Sequence, residues 1–277
     1  MSSRGFTLIE LVTSIVLLSI LAVSVASYIG IAARMYVDVT EREQLLAQSR
    51  FAIERLSREL RNATPNSIRI IHSNTPSLAC LEFTPFLRSG VYTQAPVEPD
   101  ESDRVEVIAA EGFETASLAN RLVIYPRQAN FPTDSHTIYD DANPANTLVS
   151  GLNANEPDSS VYTAVLELAT LHSFSHHSPE QRWYLLASPV SYCVVQGQLR
   201  RYNDYGFYVA QPTPATSLSN GVLMAEGIVN LTMGELVFRY DAAVLNRNAV
   251  VNIFFRYSSN LSDDTFFNHE VHILNVP

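Results

Sequence analysis

The sequence predicts an α+β protein, in which one long amino-terminal helix packs its second half on a β-rich globular head. Three observations carry this prediction. The run from Leu11 to Ala33 is uncharged and longer than the roughly 20 residues that a helix needs to cross a bilayer core. Residues 34–63 then follow an amphipathic helical pattern. From residue 64 onward, short runs rich in Val, Ile, Tyr and Phe alternate with turn residues, which is typical of strands.

The composition supports one substantial core and excludes several classes of protein. Hydrophobic residues make up 47% of the 277 residues and charged residues 17%, which argues against a disordered chain or a coiled coil. The net charge of -10 and the absence of a basic cluster exclude a nucleic-acid partner, because phosphates require a cationic surface.

The amino-terminal apolar segment contains one charge, Glu10, between the flanking residues Arg4 and Arg34. A secretory signal peptide would have a shorter apolar stretch followed by a small-residue cleavage site. An ordinary signal anchor accounts for the length but not for the carboxylate. A charge in hydrocarbon costs several kcal/mol, on the order of 3, and by default marks a function with a partner. Cleavage between Gly5 and Phe6 would create a cationic α-amine, which Glu10 of a neighbouring subunit would neutralise in a low-dielectric contact.

The segment Arg4-Gly5-Phe6-Thr7-Leu8-Ile9-Glu10-Leu11 resembles the class III signal of type IV pilins and type II secretion pseudopilins. The resemblance implies that prepilin peptidase cuts between Gly5 and Phe6, that Phe6 becomes N-methylated, and that Glu10 is the carboxylate of the assembly pair. It further implies a single-pass protein of the inner membrane, with a cytoplasmic amino terminus and a periplasmic pilin head. The partners would be prepilin peptidase, the inner-membrane assembly platform, and other minor and major pilins in a pilus or pseudopilus.

The expected organisation is a leader peptide (1–5), the transmembrane half of the helix (6–33), its amphipathic half (34–63) and the periplasmic head (64–277). The apolar stripe of the second half consists of Val39, Leu46, Ile53, Leu56, Leu60 and Ala63. On the opposite side of the helix, the spacing of charged residues predicts the (i, i+4) ion pairs Arg50–Glu54, Glu54–Arg58 and Arg55–Glu59. A free coiled coil is the alternative, but Arg42 and Ser49 interrupt the stripe, which favours packing on the head. Pro65 predicts the end of the helix near Asn62.

The head is predicted to be one β-rich domain. Its predicted strands are Ile68–His72, Leu78–Phe83, Arg104–Ile108, Arg121–Tyr125, Trp183–Ala187, Val190–Val195, Leu199–Tyr202, Phe207–Ala210, Glu235–Tyr240, Val250–Tyr257 and Glu270–Val276. Gln196-Gly197-Gln198 predicts a hairpin turn, and residues 94–103 and 140–160 predict polar, proline-bearing insertions.

Three further segments resemble a smaller group of proteins within the pilin and pseudopilin family. Residues 50–63 resemble the helix of J-type minor pseudopilins and their W-type pilus relatives, and Val190-Ser191-Tyr192-Cys193 with residues 197–201 resembles their core hairpin. Residues 268–276 add a similarity to minor pilin-like proteins of mannose-sensitive haemagglutinin pili. These resemblances imply a minor subunit that primes or stabilises pilus assembly and is not an enzyme. A J-type minor pseudopilin of a type II secretion system and a glycan-binding tip adhesin are the alternatives.

Cys80 and Cys193 lie far apart in the sequence and form no CxxC motif. Taken alone they are either a disulfide in an oxidising compartment or two buried thiols. The periplasmic head that the pilin resemblance implies favours the disulfide.

No sequence motif predicts catalysis or a cofactor. His269-Glu270-Val271-His272 is one residue short of HExxH and falls in a predicted strand, where its histidines would point to opposite faces. His172, His176 and His177 are interpreted as a polar loop, and Trp183 as a core residue in preference to a sugar-stacking surface.

Calcium is the one metal for which the sequence offers ligands. Asp140, Asp141 and Asn143 supply several oxygen atoms in a short loop, but without EF-hand spacing. A turn stabilised by these Asx side chains is the favoured interpretation, with calcium binding as the alternative.

Overall fold

A computed structural model of the protein describes residues 7–75, 77–108, 121–126, 137–140, 146–153, 163–243, 248–257 and 264–273. Within these residues one long helix, α1 (Leu8–Arg61), precedes fourteen strands and a 3-10 helix (Asn230–Met233). The predicted α+β fold is therefore confirmed. The strands are β1 (Arg69–Asn74), β2 (Ser77–Phe83), β3 (Phe86–Gln94), β4 (Ser102–Ile108), β5 (Arg121–Ile124), β6 (Asn146–Asn153), β7 (Thr163–His172), β8 (Arg182–Leu186), β9 (Val190–Val195), β10 (Gln198–Tyr202), β11 (Val222–Ala225), β12 (Phe238–Asp241), β13 (Ala249–Tyr257) and β14 (Thr265–Ile273).

Helix α1 contacts the head only with its final turns. Its buried residues are Ser49, Ala52, Ile53, Leu56, Ser57 and Leu60. Val39 was expected on this stripe but is 56% exposed, because the head reaches down only to about Leu45, which lies against Gly227. Ser49 does not interrupt the stripe, since it is buried and its hydroxyl donates to the Leu45 carbonyl at 2.6 Å. Two of the predicted ion pairs form, Arg55–Glu59 at 3.1 Å and Arg58–Glu54 at 2.9 Å. The third, Arg50–Glu54, does not form, although both residues lie in the described part of the chain.

Two antiparallel sheets and the end of α1 share one core, and we call this part of the head the base. One sheet has the order β1-β2-β9-β10-β11 and the other has the order β12-β13-β14. The helix lies against the outer strands β11 and β14 of the two sheets. Side chains of α1 and of both sheets form one continuous hydrophobic cluster that includes Leu56, Tyr192 and Phe255.

The second part of the head is a closed six-stranded barrel with the order β3-β4-β7-β6-β5-β8. It is inserted between β2 and β9, which pair directly with each other in the base. The barrel has its own core, centred on Trp183, Tyr92 and Phe174. Among the described residues, the base and the barrel therefore have separate cores, where the sequence suggested one domain.

A buried ion pair lies where the base meets the barrel. Arg69 on β1 and Glu82 on β2 are register partners and form an ion pair, with their side chains 6% and 0% exposed. The Arg69 guanidinium also donates to the carbonyls of Tyr208 and Val209, each at 2.7 Å. The predicted strand Phe207–Ala210 is therefore wrong, because these carbonyls bind a guanidinium instead of a neighbouring strand.

Tyrosines complete this buried cluster. The Tyr139 ring lies 3.7 Å from the Arg69 guanidinium, and its hydroxyl donates to the Ser67 carbonyl at 2.7 Å. The Tyr205 hydroxyl donates to Glu82 at 3.0 Å. Burial raises the pKa of Glu82, while Arg69 and Tyr205 act in the opposite direction.

The other predicted strands each overlap an observed strand, but several boundaries differ and β3, β6, β7 and β11 were missed. The polar insertion predicted for residues 140–160 is wrong where it covers β6, which pairs with β5 and β7 in the barrel. The strand predicted from Glu235 begins only at Phe238, because the Glu235 N–H closes the 3-10 turn on the Asn230 carbonyl at 2.9 Å.

The last predicted strand begins at Thr265 instead of Glu270, and residues 274–277 lie outside the described part of the chain. The predicted hairpin turn is confirmed. Gln196 and Gly197 connect β9 to β10 with φ values of 51° and 77°, the left-handed pair that a tight two-residue turn requires.

Candidate functional site

The first part of α1 is an exposed apolar rod. It contains a stretch long and apolar enough to cross a membrane, and no residue of that stretch is buried against the rest of the described chain. Several of its hydroxyl groups do not need water, because the side chains donate to backbone carbonyls one turn earlier. Ser14, Ser19, Ser24 and Thr40 make such bonds at 2.7 to 2.9 Å. This surface is suited to hydrocarbon or to the apolar faces of other helices.

Glu10 lies in the first turn of α1, where a negative charge is favoured by the exposed N–H groups of the helix end. Thr7 is the N-cap: its hydroxyl oxygen accepts from the Glu10 N–H at 3.4 Å and lies 3.4 Å from a Glu10 carboxylate oxygen. Thr7 and Glu10 therefore have the spacing of a capping box. The carboxylate remains exposed and can accept further hydrogen bonds.

Gly5 and Phe6 lie outside the described residues. Cleavage between them, methylation of Phe6 and pairing with Glu10 therefore stay predictions.

A polar cluster attaches the end of α1 to the base. The Glu59 carboxylate accepts from Arg201 at 3.0 Å to each oxygen, from Tyr192 at 3.0 Å and from Arg55 at 3.1 Å. Burial, and then the negative charge of Glu59, raise the pKa of the Tyr192 hydroxyl. We call Glu59, Arg201 and Tyr192 the helix–base clamp. The sequence predicted only the Arg55 partner, because the others come from strands more than a hundred residues away.

The two cysteines are joined in the structure. Cys80 on β2 and Cys193 on β9 are register partners, with Cα atoms 4.1 Å apart and an S–S distance of 2.08 Å. The bond links the two strands between which the barrel is inserted.

The histidines of the described chain do not converge on a metal. His172 packs edge-on against Phe174, and His177 approaches the Tyr92 hydroxyl at 3.4 Å. His269 and His272 occupy opposite faces of β14, as expected for positions three apart in a strand. Among the described residues, no three His, Cys, Asp or Glu side chains are grouped as metal ligands would be.

The remaining candidate positions are Trp183 and the Asp140 loop. Trp183 is 1% exposed, which confirms its predicted place in a core and contradicts a sugar-stacking role. Gly90 allows this packing, since a Cβ there would lie 3.0 Å from the indole ring. Asp140 is half-buried, whereas Asp141 and Asn143 lie outside the described residues, so calcium binding stays a prediction.

Taken together, the exposed apolar helix and its attached β-rich head define a protein anchored to a membrane through its amino terminus. The comparison with known families agrees with this class: the prokaryotic N-terminal methylation motif matches residues 1–26. This motif indicates a precursor of the type IV pilin or pseudopilin kind, which prepilin peptidase processes and which assembles with other pilins. Such subunits are structural proteins and are not known as enzymes. No curated protein and no solved structure matches the chain.

Proposed function

We propose that this chain is a minor pilin that primes or stabilises assembly of a type IV pilus of the mannose-sensitive haemagglutinin kind. The resemblance to MshO, a minor pilin-like biogenesis protein of those pili, implies this role. The observation that carries the proposal is the methylation motif at residues 1–26, which continues without a break into the exposed apolar helix. In this proposal the amino terminus is cytoplasmic, the head is periplasmic, and the protein leaves the inner membrane by entering the filament.

The proposed mechanism is neutralisation of charge between subunits. Prepilin peptidase cuts between Gly5 and Phe6, and the new Phe6 amine, once methylated, still carries a positive charge. Glu10 follows the new amino terminus by four residues and lies in the first turn of α1, and this offset sets the stagger of the contact. Glu10 of one subunit therefore meets the Phe6 amine of another when their helices pack side by side with that stagger. Each contact removes two uncompensated charges from an apolar environment.

Filament incorporation of Glu10→Ala tests this mechanism. Membrane insertion should be unchanged or slightly better, because the variant lacks a charge in hydrocarbon, whereas incorporation into filaments should fall. Glu41→Ala removes an exposed carboxylate from the same helix outside the apolar run and should behave like the wild type. Equal incorporation of Glu10→Ala and Glu41→Ala would refute the pairing.

The sequence offers a second, chemical test of the same contact. All 18 cationic side chains are arginines. The sequence contains no lysine, so the amino-terminal amine is the only amine of the chain. A carbodiimide joins an amine to a carboxylate with loss of water. Treatment of filaments should therefore yield an amide between Phe6 of this chain and a first-turn glutamate of a neighbour. A Phe6 crosslink that maps only to other carboxylates would contradict the proposed stagger.

The J-type pseudopilin of a type II secretion system is the second candidate, because residues 50–63 resemble its helix. Complementation separates the two systems. We expect the chain to restore piliation in a strain that lacks the corresponding minor pilin, and not secretion in a strain that lacks the J-type pseudopilin.

A further inference from the structure

A groove of about 530 Å³ runs between the last turns of α1 and strand β14. The helix side includes Arg50, Glu54, Arg58 and Arg61, and the strand side includes Asn268 and His269. The groove belongs neither to the apolar rod nor to the helix–base clamp. It lies on the face of α1 turned towards β14, whereas Glu59 is turned towards β9 and β10.

The groove is cationic on a protein that is acidic as a whole. Three arginines line it against the single carboxylate of Glu54, while the chain carries a net charge of -10. Arg58 is paired with Glu54. Arg50 and Arg61 form no ion pair or side-chain hydrogen bond with any described residue, so their guanidinium groups are available to a ligand.

The strand side of the groove offers backbone groups as well. β14 pairs with β13 over nine residues and has no second strand partner in the described part of the chain. An outer strand presents backbone N–H and C=O groups to which a further extended segment can bind. Arginine guanidinium groups bind carboxylates in a forked, two-bond geometry. An extended segment that bears carboxylates would satisfy both sides of the groove.

The position of the groove excludes a lipid headgroup as its natural ligand. Arg50 lies about 24 Å beyond Arg34 along the helix, at ~1.5 Å rise per residue, and Arg34 is the first charge after the apolar run. A guanidinium that far from the apolar run does not reach the surface of the membrane that the helix spans.

We propose that this groove docks a carboxylate-rich extended segment of an adjacent filament subunit. The inference rests on the proposed function only for the identity of the partner, because the chemistry of the groove is independent of Glu10 and of processing. A contact between two different surfaces of neighbouring subunits is the type that extends into an open helical array.

The test uses the full chain in detergent micelles and fluorescein-labelled hexaglutamate, with hexaglutamine as the neutral probe. Fluorescence polarisation should show that hexaglutamate binds more tightly than hexaglutamine and that its affinity falls between about 50 mM and 300 mM salt. The double variant Arg50→Gln/Arg61→Gln should weaken binding about tenfold, as expected for the loss of two modest charge contacts.

The matched control is Arg104→Gln/Arg239→Gln, which removes the same charge from exposed positions on the barrel and on β12. It should bind hexaglutamate like the wild type. Equal affinity for the two peptides, or equal weakening in both double variants, would overturn the proposal. So would arginine-dependent binding to phosphatidylglycerol vesicles without binding to hexaglutamate, because the groove would then be a lipid site.

A cellular arm identifies the partner. A photo-crosslinking residue at exposed Asn268, in the groove, should form an adduct with another pilin-type subunit. Peptide binding that depends on the arginines, together with an adduct to a protein of another class, would refute a subunit as the partner. The groove and the Glu10–Phe6 pairing can be tested separately, since the peptide measurement requires no assembly. Glu10→Ala should lose filament incorporation and still bind hexaglutamate.

Discussion

Glu59→Ala should destabilise the base by about 3 kcal/mol. Glu59 and Arg201 are 22% and 14% exposed in their side chains, so the substitution leaves a largely buried guanidinium without its carboxylate. It also removes the acceptor of the Tyr192 hydroxyl. Hydrogen bonds to charged groups contribute about 1.5–3 kcal/mol each, and breaking a fully buried pair costs about 3–5 kcal/mol. The remaining exposure of the clamp places the expected loss near the lower end of that range.

Glu54→Ala is the matched control. Glu54 forms the same kind of (i, i+4) pair on the same helix, but both partners are more than 70% exposed, at 73% and 74%. Exposed pairs of this kind contribute about 0.3–0.5 kcal/mol. Urea denaturation of the full chain in micelles, followed by circular dichroism, measures both variants. Arg201→Ala should cost less in the Glu59→Ala background than alone. Equal losses for Glu59→Ala and Glu54→Ala would show that the clamp is not what holds the helix on the base.

Three further predictions concern processing of the leader, the disulfide and the buried ion pair. Gly5→Leu should block cleavage, because the peptidase must fit the residue before the scissile bond, and mass spectrometry should find the chain heavier by residues 1–5. Removing the disulfide with Cys80→Ser/Cys193→Ser should cost about 5 kcal/mol by chain entropy, since it closes a loop with a sequence separation of 113, and the urea midpoint checks this loss. Because burial raises the pKa of Glu82, its contribution to stability is full below its unfolded value of 4.5 and declines as the pH rises above it. The wild type should therefore lose stability relative to Glu82→Gln over that pH range, and parallel pH profiles of the two proteins would contradict the assigned direction.

The helix and the central strands could be predicted from the sequence because their signals are local. The apolar run, the stripe ending at Ala63 and the stop before Pro65 each depend on neighbouring residues. Strand β9 was predicted with its observed bounds, since its first five residues are buried and it ends at a two-residue turn containing Gly197. The joined cysteines could be anticipated only through the compartment that the pilin resemblance implies.

The parts that were missed depend on contacts distant in the sequence. Strand β6 lies in a polar segment and is a strand because β5 and β7 pair with it on both sides. The segment Phe207–Ala210 has strand-like residues, but its carbonyls bind Arg69. The residues next to Arg201 in the sequence give no indication that its guanidinium binds Glu59. The barrel was not predicted either, because its closure depends on the pairing of β3 with β8, which are distant in the sequence.

The topology separates the core that contains helix α1 from the core of the barrel. Helix α1 shares its core with the two base sheets and not with the barrel, whose core contains no helix residue. The barrel enters and leaves through neighbouring ends of β2 and β9, and Cys80 and Cys193 hold those strands together. The Phe86 N–H of β3 also donates to the Asn62 carbonyl just after α1, at 3.0 Å, so the barrel meets the end of the helix through the backbone. A change in the barrel core should nevertheless leave the Glu59 clamp and the arginine groove intact, because neither receives a side chain from β3 to β8.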